Sequence, residues 1–193
     1  MLQIKFRGKA RDAMNWTDEV RARLKRNNQV LFAKDSEYLQ ELARLLQEQN
    51  HRVVTLWALA FAEETVAKLG EKYPEEARPQ EALAAAWGWA AGIIKMRQAQ
   101  RKILDCHAFA KEISRKEDIA MCHAVGQACA VVHTAGHAMG YPMYDLTAIV
   151  LAQGIDQAAE AVGRRKQEYI GRLLYWRENE SQYQGEWADF MLR

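Results

Sequence analysis

Apolar positions in this chain repeat at three- and four-residue spacing and almost nowhere at spacing two. Val53, Leu56, Trp57, Ala60, Phe61, Thr65 and Leu69 form one broad stripe, which predicts a helix over about 50–72 that Pro74 stops. Leu39, Leu42, Leu45 and Leu46 predict a shorter helix with Ser36 as its N-cap. Pro79 marks the first turn of another, over about 79–94, and Glu81 suits the positive end of its dipole. A helix over about 96–113 follows, ended by the charged turn Arg115-Lys116-Glu117-Asp118. From Ile119 to Met139 apolar and small residues fill nearly every face, the pattern of a helix buried on several sides. Gly140 then reads as a stop past that helix, and Pro142 as the first turn of the next. A last helix is expected over about 158–177, and residues 9–26 favour a basic helix with a thin apolar stripe.

No alternating Val/Ile/Thr run and no Asn-Gly or Asp-Gly turn offers a strand. The expectation is an all-α fold: one multi-helix bundle of about six to eight helices around a buried central helix. It forms a single domain over 1–193, with a basic N-terminal arm at 1–35 and a C-terminal tail at 178–193. Trp187, Phe190 and Met191 suggest that the tail docks back onto the body. With 193 residues, 49% of them hydrophobic and 27% charged, the chain can bury a sizeable core.

Charge narrows the partners. A formal net charge of +2 points to neither nucleic acid nor membrane, although residues 1–26 hold eight Lys/Arg against three Asp/Glu. The longest apolar run, Ala82 to Ile94, has 13 residues and is too short to span a bilayer. The start lacks an apolar signal region, and Cys106, Cys122 and Cys129 are an odd set. Reduced thiols in a cytoplasmic protein are therefore expected.

Candidate chemistry gathers in one stretch. His133 and His137 stand four apart and so are expected to share one helix face, with Cys129 one turn earlier on the same stripe and Cys122 seven residues before that. These are zinc-type ligands, but four ligands on one straight helix cannot surround an ion, so Cys106 and His107 from the preceding helix would have to help. Cys129 with His133 as its base is a possible nucleophile, opposed by an apolar setting that raises a thiol pKa. Otherwise both imidazoles are expected to be buried and structural, hydrogen-bonded to neighbouring helices, with Tyr144 or Asp145 as partners. Glu48 and His51 form one Glu-x-x-His pair where a di-iron bundle needs two. No zincin, nucleophile-elbow, P-loop or dinucleotide motif is present.

The segment Gly126-Gln127-Ala128-Cys129-Ala130-Val131-Val132-His133-Thr134-Ala135-Gly136-His137-Ala138-Met139-Gly140, followed by Tyr144 and Ala148, resembles the signature of the putative immunity protein family of bacterial polymorphic toxin systems. Arg78-Pro79 with Ala82, Ala86, Trp89 and Gly92 resembles the helix that precedes it in that family. The resemblance covers roughly residues 50–155. It implies an all-helical bacterial protein that binds another protein and neutralises a cognate toxin; together with the cysteine, signal and ligand-spacing readings above, the expectation is a cytoplasmic, non-enzymatic protein without cofactor or metal. It carries no catalytic role onto His133, His137 or Gly140. Two rival readings stay open. One is a metal- or small-ligand-binding bundle, an enzyme among its forms, centred on His133 and His137 with Cys129. The other is a helical interaction module of unrelated purpose.

Overall fold

The computed structural model describes the backbone from Gly8 to Arg193 and the side chains from Trp16 onward. Among these residues there are eight α-helices and no strand, so the fold is all-α. The helices are α1 (Gly8–Lys25), α2 (Gln40–Gln47), α3 (His51–Lys72), α4 (Arg78–Ala90), α5 (Met96–Phe109), α6 (Lys116–Ala130), α7 (Gly140–Gln153) and α8 (Ala159–Asn179). Short 3-10 turns lie at Ala135–His137 before α7, at Glu180–Gln182, and at Asp189–Met191 in the tail.

Most boundaries have a local cause. The Asn50 side chain accepts the Val53 N–H and starts α3, which ends just before Pro74. Gly154, with φ of 80°, ends α7 in a conformation other residues rarely adopt. Ser36 does not cap α2 as expected. Its hydroxyl goes to Glu19, and α2 begins at Gln40.

The largest departure is in the expected central helix. It does not reach Met139: α6 ends at Ala130, ahead of the β-branched pair Val131 and Val132. Thr134 turns extended, with φ of −158° and ψ of 135°, and its Oγ1 accepts the Gly136 N–H. Such a local side-chain bond gives the backbone an alternative to the helix. Gly140 therefore does not follow a helix end; it opens α7. Burial is also shared. Val53 to Leu59 of α3 are all buried, and α3 packs against α4, α6 and α8.

The N-terminal segment, expected as an arm, is part of the core from Trp16 onward. Trp16, Phe32 and Tyr38 pack ring on ring, with centroids 5.6 to 6.4 Å apart. The Leu31 N–H donates to Thr147 Oγ1 of α7 at 2.9 Å. Residues 1–7 of the expected arm lie outside the described residues.

A buried polar network ties α3, α7 and α8. Arg165 Nε donates to Asp145 at 2.7 Å, and its other nitrogens reach Glu64, Glu168 and the Tyr141 hydroxyl. Tyr169 donates its hydroxyl to the same Asp145 oxygen, and Tyr141 donates to the Phe61 carbonyl at 3.0 Å. The guanidinium lies 4.7 Å from the Phe61 ring centre. Burial, followed by the charge of Asp145, keeps both tyrosines protonated far above their usual range. Burial also opposes the charge on Arg165, but Asp145 and the tyrosines more than offset it.

Removing one partner of a buried ion pair leaves the other without compensation. Arg165→Met is therefore expected to cost about 3–5 kcal/mol in urea unfolding. A loss within about 0.5 kcal/mol, the range of a surface substitution, would show that the network is not needed for stability.

Candidate partner-binding face

The signature segment spans the end of α6, the turn at 131–139 and the start of α7. Three contacts fix that turn. His51 Nε2–H donates to the Val131 carbonyl at 2.6 Å and holds the turn to the start of α3. His137 Nδ1–H donates to Gln127 Oε1 at 3.3 Å. Gly140 lies so close to the Gln127 side chain that a Cβ there would overlap it. The turn can close over α6 only because residue 140 has no side chain.

His133 and His137 are not buried on a helix. His137 is half-buried, and His133 is exposed at the surface, where its ring stacks on Trp89 with centroids 6.0 Å apart and planes 25° apart. Neither histidine bonds to Tyr144 or Asp145. The Tyr144 ring packs on His123, 5.2 Å away, and Asp145 is engaged by Arg165 and Tyr169. Cys129 is fully buried, so it and the two histidines do not share the stripe that a continuous helix would have formed. Among the described residues, no three His, Cys, Asp or Glu side chains are placed to share a metal ion.

Trp89, itself buried, also contacts Phe190 at 5.7 Å, and through it the tail joins this surface. The Ala188 N–H donates to the Ala90 carbonyl at 2.8 Å. Gly92, at φ of 76°, brings the loop after α4 against the Ala188 side chain. Trp87 stacks on Tyr183 with planes 16° apart and donates Nε1–H to Glu63. Met191 is buried, as expected of a docking tail. Around these rings stand Ile93, 78% exposed, Leu192, 55%, and Phe190, 38%. Exposed apolar side chains on a loop and a tail that meet are the usual material of a protein-binding surface. Trp89 and Phe190 are legible in the sequence, whereas Ile93 and Leu192 are not. The available signal was Gly92, a break after which the apolar pattern of α4 no longer describes a buried face.

The remaining signature residues join other parts of the frame. Arg78 bonds both Glu76 and Glu112 at 2.7 Å and lies over the Phe109 ring, joining the start of α4 to the end of α5; Pro79 beside it is buried. Gly126 faces the His107 ring so closely that a Cβ would overlap it. His107 and His123 share one hydrogen bond between their Nδ1 atoms at 2.8 Å, so one ring donates and the other accepts. His123 and Tyr144 border a cleft of about 230 Å³, with Asn28 and Lys116 on its wall. Burial pushes Cys106 and Cys129 up to about 12, and Cys122 higher still. All three are free thiols held protonated, a state unsuited to nucleophilic attack.

Burial first, and His123 second, push His107 down to about 4 from 6.5. Burial and Lys111 lower His123 as well. As pH falls, the unfolded chain takes up these protons before the folded one does. Stability is therefore full above 6.5 and is lost between 6.5 and about 4. The urea midpoint should fall across that window, and fall less in His107→Gln, a difference of about 1–2 kcal/mol after allowance for partial exposure. Parallel profiles for the two proteins would contradict this. Gly126→Ala, which displaces the His107 ring, should cost about 1–3 kcal/mol. Gly136→Ala, where a Cβ meets only Thr134 at ordinary contact distance, should stay within about 0.5 kcal/mol. Equal effects would show that the close approach at Gly126 does not matter.

Comparison with known proteins adds one match. A family model described as Imm-5 like putative immunity protein fits residues 44–172, from α2 into α8. It takes in the signature segment and Arg165, and leaves out α1 and the tail. No curated protein and no solved structure matches the chain. The family model covers about two thirds of the sequence, and the chain accordingly belongs to the Imm-5 like putative immunity protein family.

Proposed function

We propose that this chain is a non-enzymatic immunity factor that acts in the bacterial cytoplasm, binds a cognate toxin protein and blocks it by covering part of its surface. The observation that carries this reading is the position of His133. In the middle of the family's signature segment, it lies at the surface on Trp89, which also contacts Phe190, and exposed Ile93 and Leu192 belong to the loop and tail that meet at Ala90 and Ala188. Exposed rings and aliphatic side chains on a firm helical frame are what a partner protein can bury. The frame is firm because the polar groups beneath it bond one another: Arg165 with Asp145, and Asp118 with Lys72 and Tyr73. The three thiols and the His107–His123 pair are likewise engaged in packing or in each other. No helix among the described residues is long and apolar enough to cross a membrane.

The test is growth. The product of the neighbouring gene is expressed in a bacterial host with and without this chain. Growth arrest by that product, relieved by the chain and accompanied by a purified one-to-one complex, is the expected result. His133→Ala and Phe190→Ala should weaken the complex at least tenfold while melting like the parent, since both side chains are exposed. A neighbouring product that is harmless, or toxic but unaffected by the chain, would defeat the proposal.

A further inference from the structure

Residues 91–104 carry four cations and no acid. Lys102 is paired with Glu81 of α4 at 2.8 Å. Lys95, Arg97 and Arg101 are exposed, and none of them forms an ion pair with a described residue. The inward stripe of α5 is Ala99, Ile103, Cys106 and Phe109, all buried. Its outward stripe runs through Arg97, Arg101 and Leu104, at i, i+4 and i+7. Leu104 is 59% exposed on that stripe, and Met96 and Ile93 lie at its start.

A single exposed leucine means nothing by itself. Here the distribution matters. Six large apolar side chains are exposed among the described residues, and five of them, Ile93, Met96, Leu104, Phe190 and Leu192, belong to this loop, this helix and the adjoining tail. The sixth, Tyr175, is on α8. The loop and tail meet where the Ala188 N–H reaches the Ala90 carbonyl. Asp105 and Asp189 are the only carboxylates that residues 91–109 and 188–192 contain.

We infer that this face is built for an acidic protein surface, whose apolar groups meet Ile93, Phe190 and Leu192 and whose carboxylates meet Lys95, Arg97 and Arg101. The inference rests on the immunity reading and specifies the partner that reading leaves open. Unpaired cations around an exposed apolar centre match the general plan of an interface, with the charges at the rim setting partner choice and encounter rate. Arg97 and Arg101 carry planar forks that take a carboxylate by two bonds. Nucleic acid fits less well, because aliphatic side chains standing between the cations gain nothing from phosphate and the net charge is only +2. A membrane fits less well, because α5 has its continuous apolar stripe in the core and turns cations outward.

The experiment is calorimetric titration of the full chain with the purified product of the neighbouring gene, at low and high salt. Three proteins are compared: the parent, Arg97→Glu with Arg101→Glu, and a control with Lys25→Glu and Arg26→Glu, which has the same net charge but carries the change on and just beyond the end of α1. The face variant should bind on the order of 100-fold more weakly than the parent, the control within about threefold, and the parent itself more weakly at high salt. All three should melt alike, since the altered side chains are exposed. Equal binding by the face variant and the parent would overturn this inference and leave the immunity reading standing. No binding by the parent would overturn both. A single-stranded oligonucleotide and phosphatidylglycerol vesicles serve as further probes. Tight binding of either, lost in the face variant, would overturn the assignment to a protein.

Discussion

The guanidinium of Arg165 is inside the protein, lying against the rings of Phe61 and Tyr169, and much of the fold follows from having to keep it there. A charge removed from water needs a counter-charge and hydrogen-bond acceptors in fixed places. Asp145 must come from α7, Glu64 from α3 and Glu168 from α8 itself. Three helices are thereby held in one register, and Tyr141, one turn before Asp145, is drawn to both Thr65 and the Phe61 carbonyl. Fixing α7 along its first turns also fixes where Gly140 meets Gln127, and so the shape of the turn that ends in His133 and His137. A buried ion-pair network thus bears on the turn that carries His133.

Much of this architecture could be read from the residues. Periodicity locates α3, α4, α5 and α8 to within a few positions, because each has an apolar stripe, and a capping asparagine at α3 and a proline at α4 sharpen the starts. It fails between Ala130 and Gly140. There the apolar residues continue without a gap, and the break comes from two β-branched residues and a threonine that bonds its own backbone. Composition cannot distinguish such a turn from one more turn of buried helix. A helix continued through this turn would bury His133, whereas the turn exposes it. The Arg165 network is equally hidden, since it joins three helices, with Glu64 101 residues from Arg165, and each charged member alone looks like a surface charge on an amphipathic helix.

The match to the family divides the surface in an informative way. His133 and Trp89 lie within the matched residues, while Phe190 and Leu192 lie beyond them. Arg97 and Arg101 lie within, on a helix whose inner stripe is small and apolar. The proposed face therefore joins a frame that the family shares to a tail outside the matched region. Energetically the two parts differ. The frame is held by buried charges and satisfied hydrogen bonds, whereas the tail is held by ring contacts and one backbone bond to α4. A partner can draw on the tail without disturbing the frame.

The three thiols turn this packing into a clock. Cys106 of α5 donates to the Cys122 carbonyl of α6, and Cys129 is enclosed deeper in the same helix. No thiol-modifying reagent can reach any of them while α5 rests on α6. The pace of modification then reports how often the packing around these thiols opens. Because α5 carries the cationic stripe on its outer side, whatever occupies that stripe also holds the helix in place. Occupancy of the outside would be written, as a delay, in the chemistry of sulfur atoms that the occupant never touches.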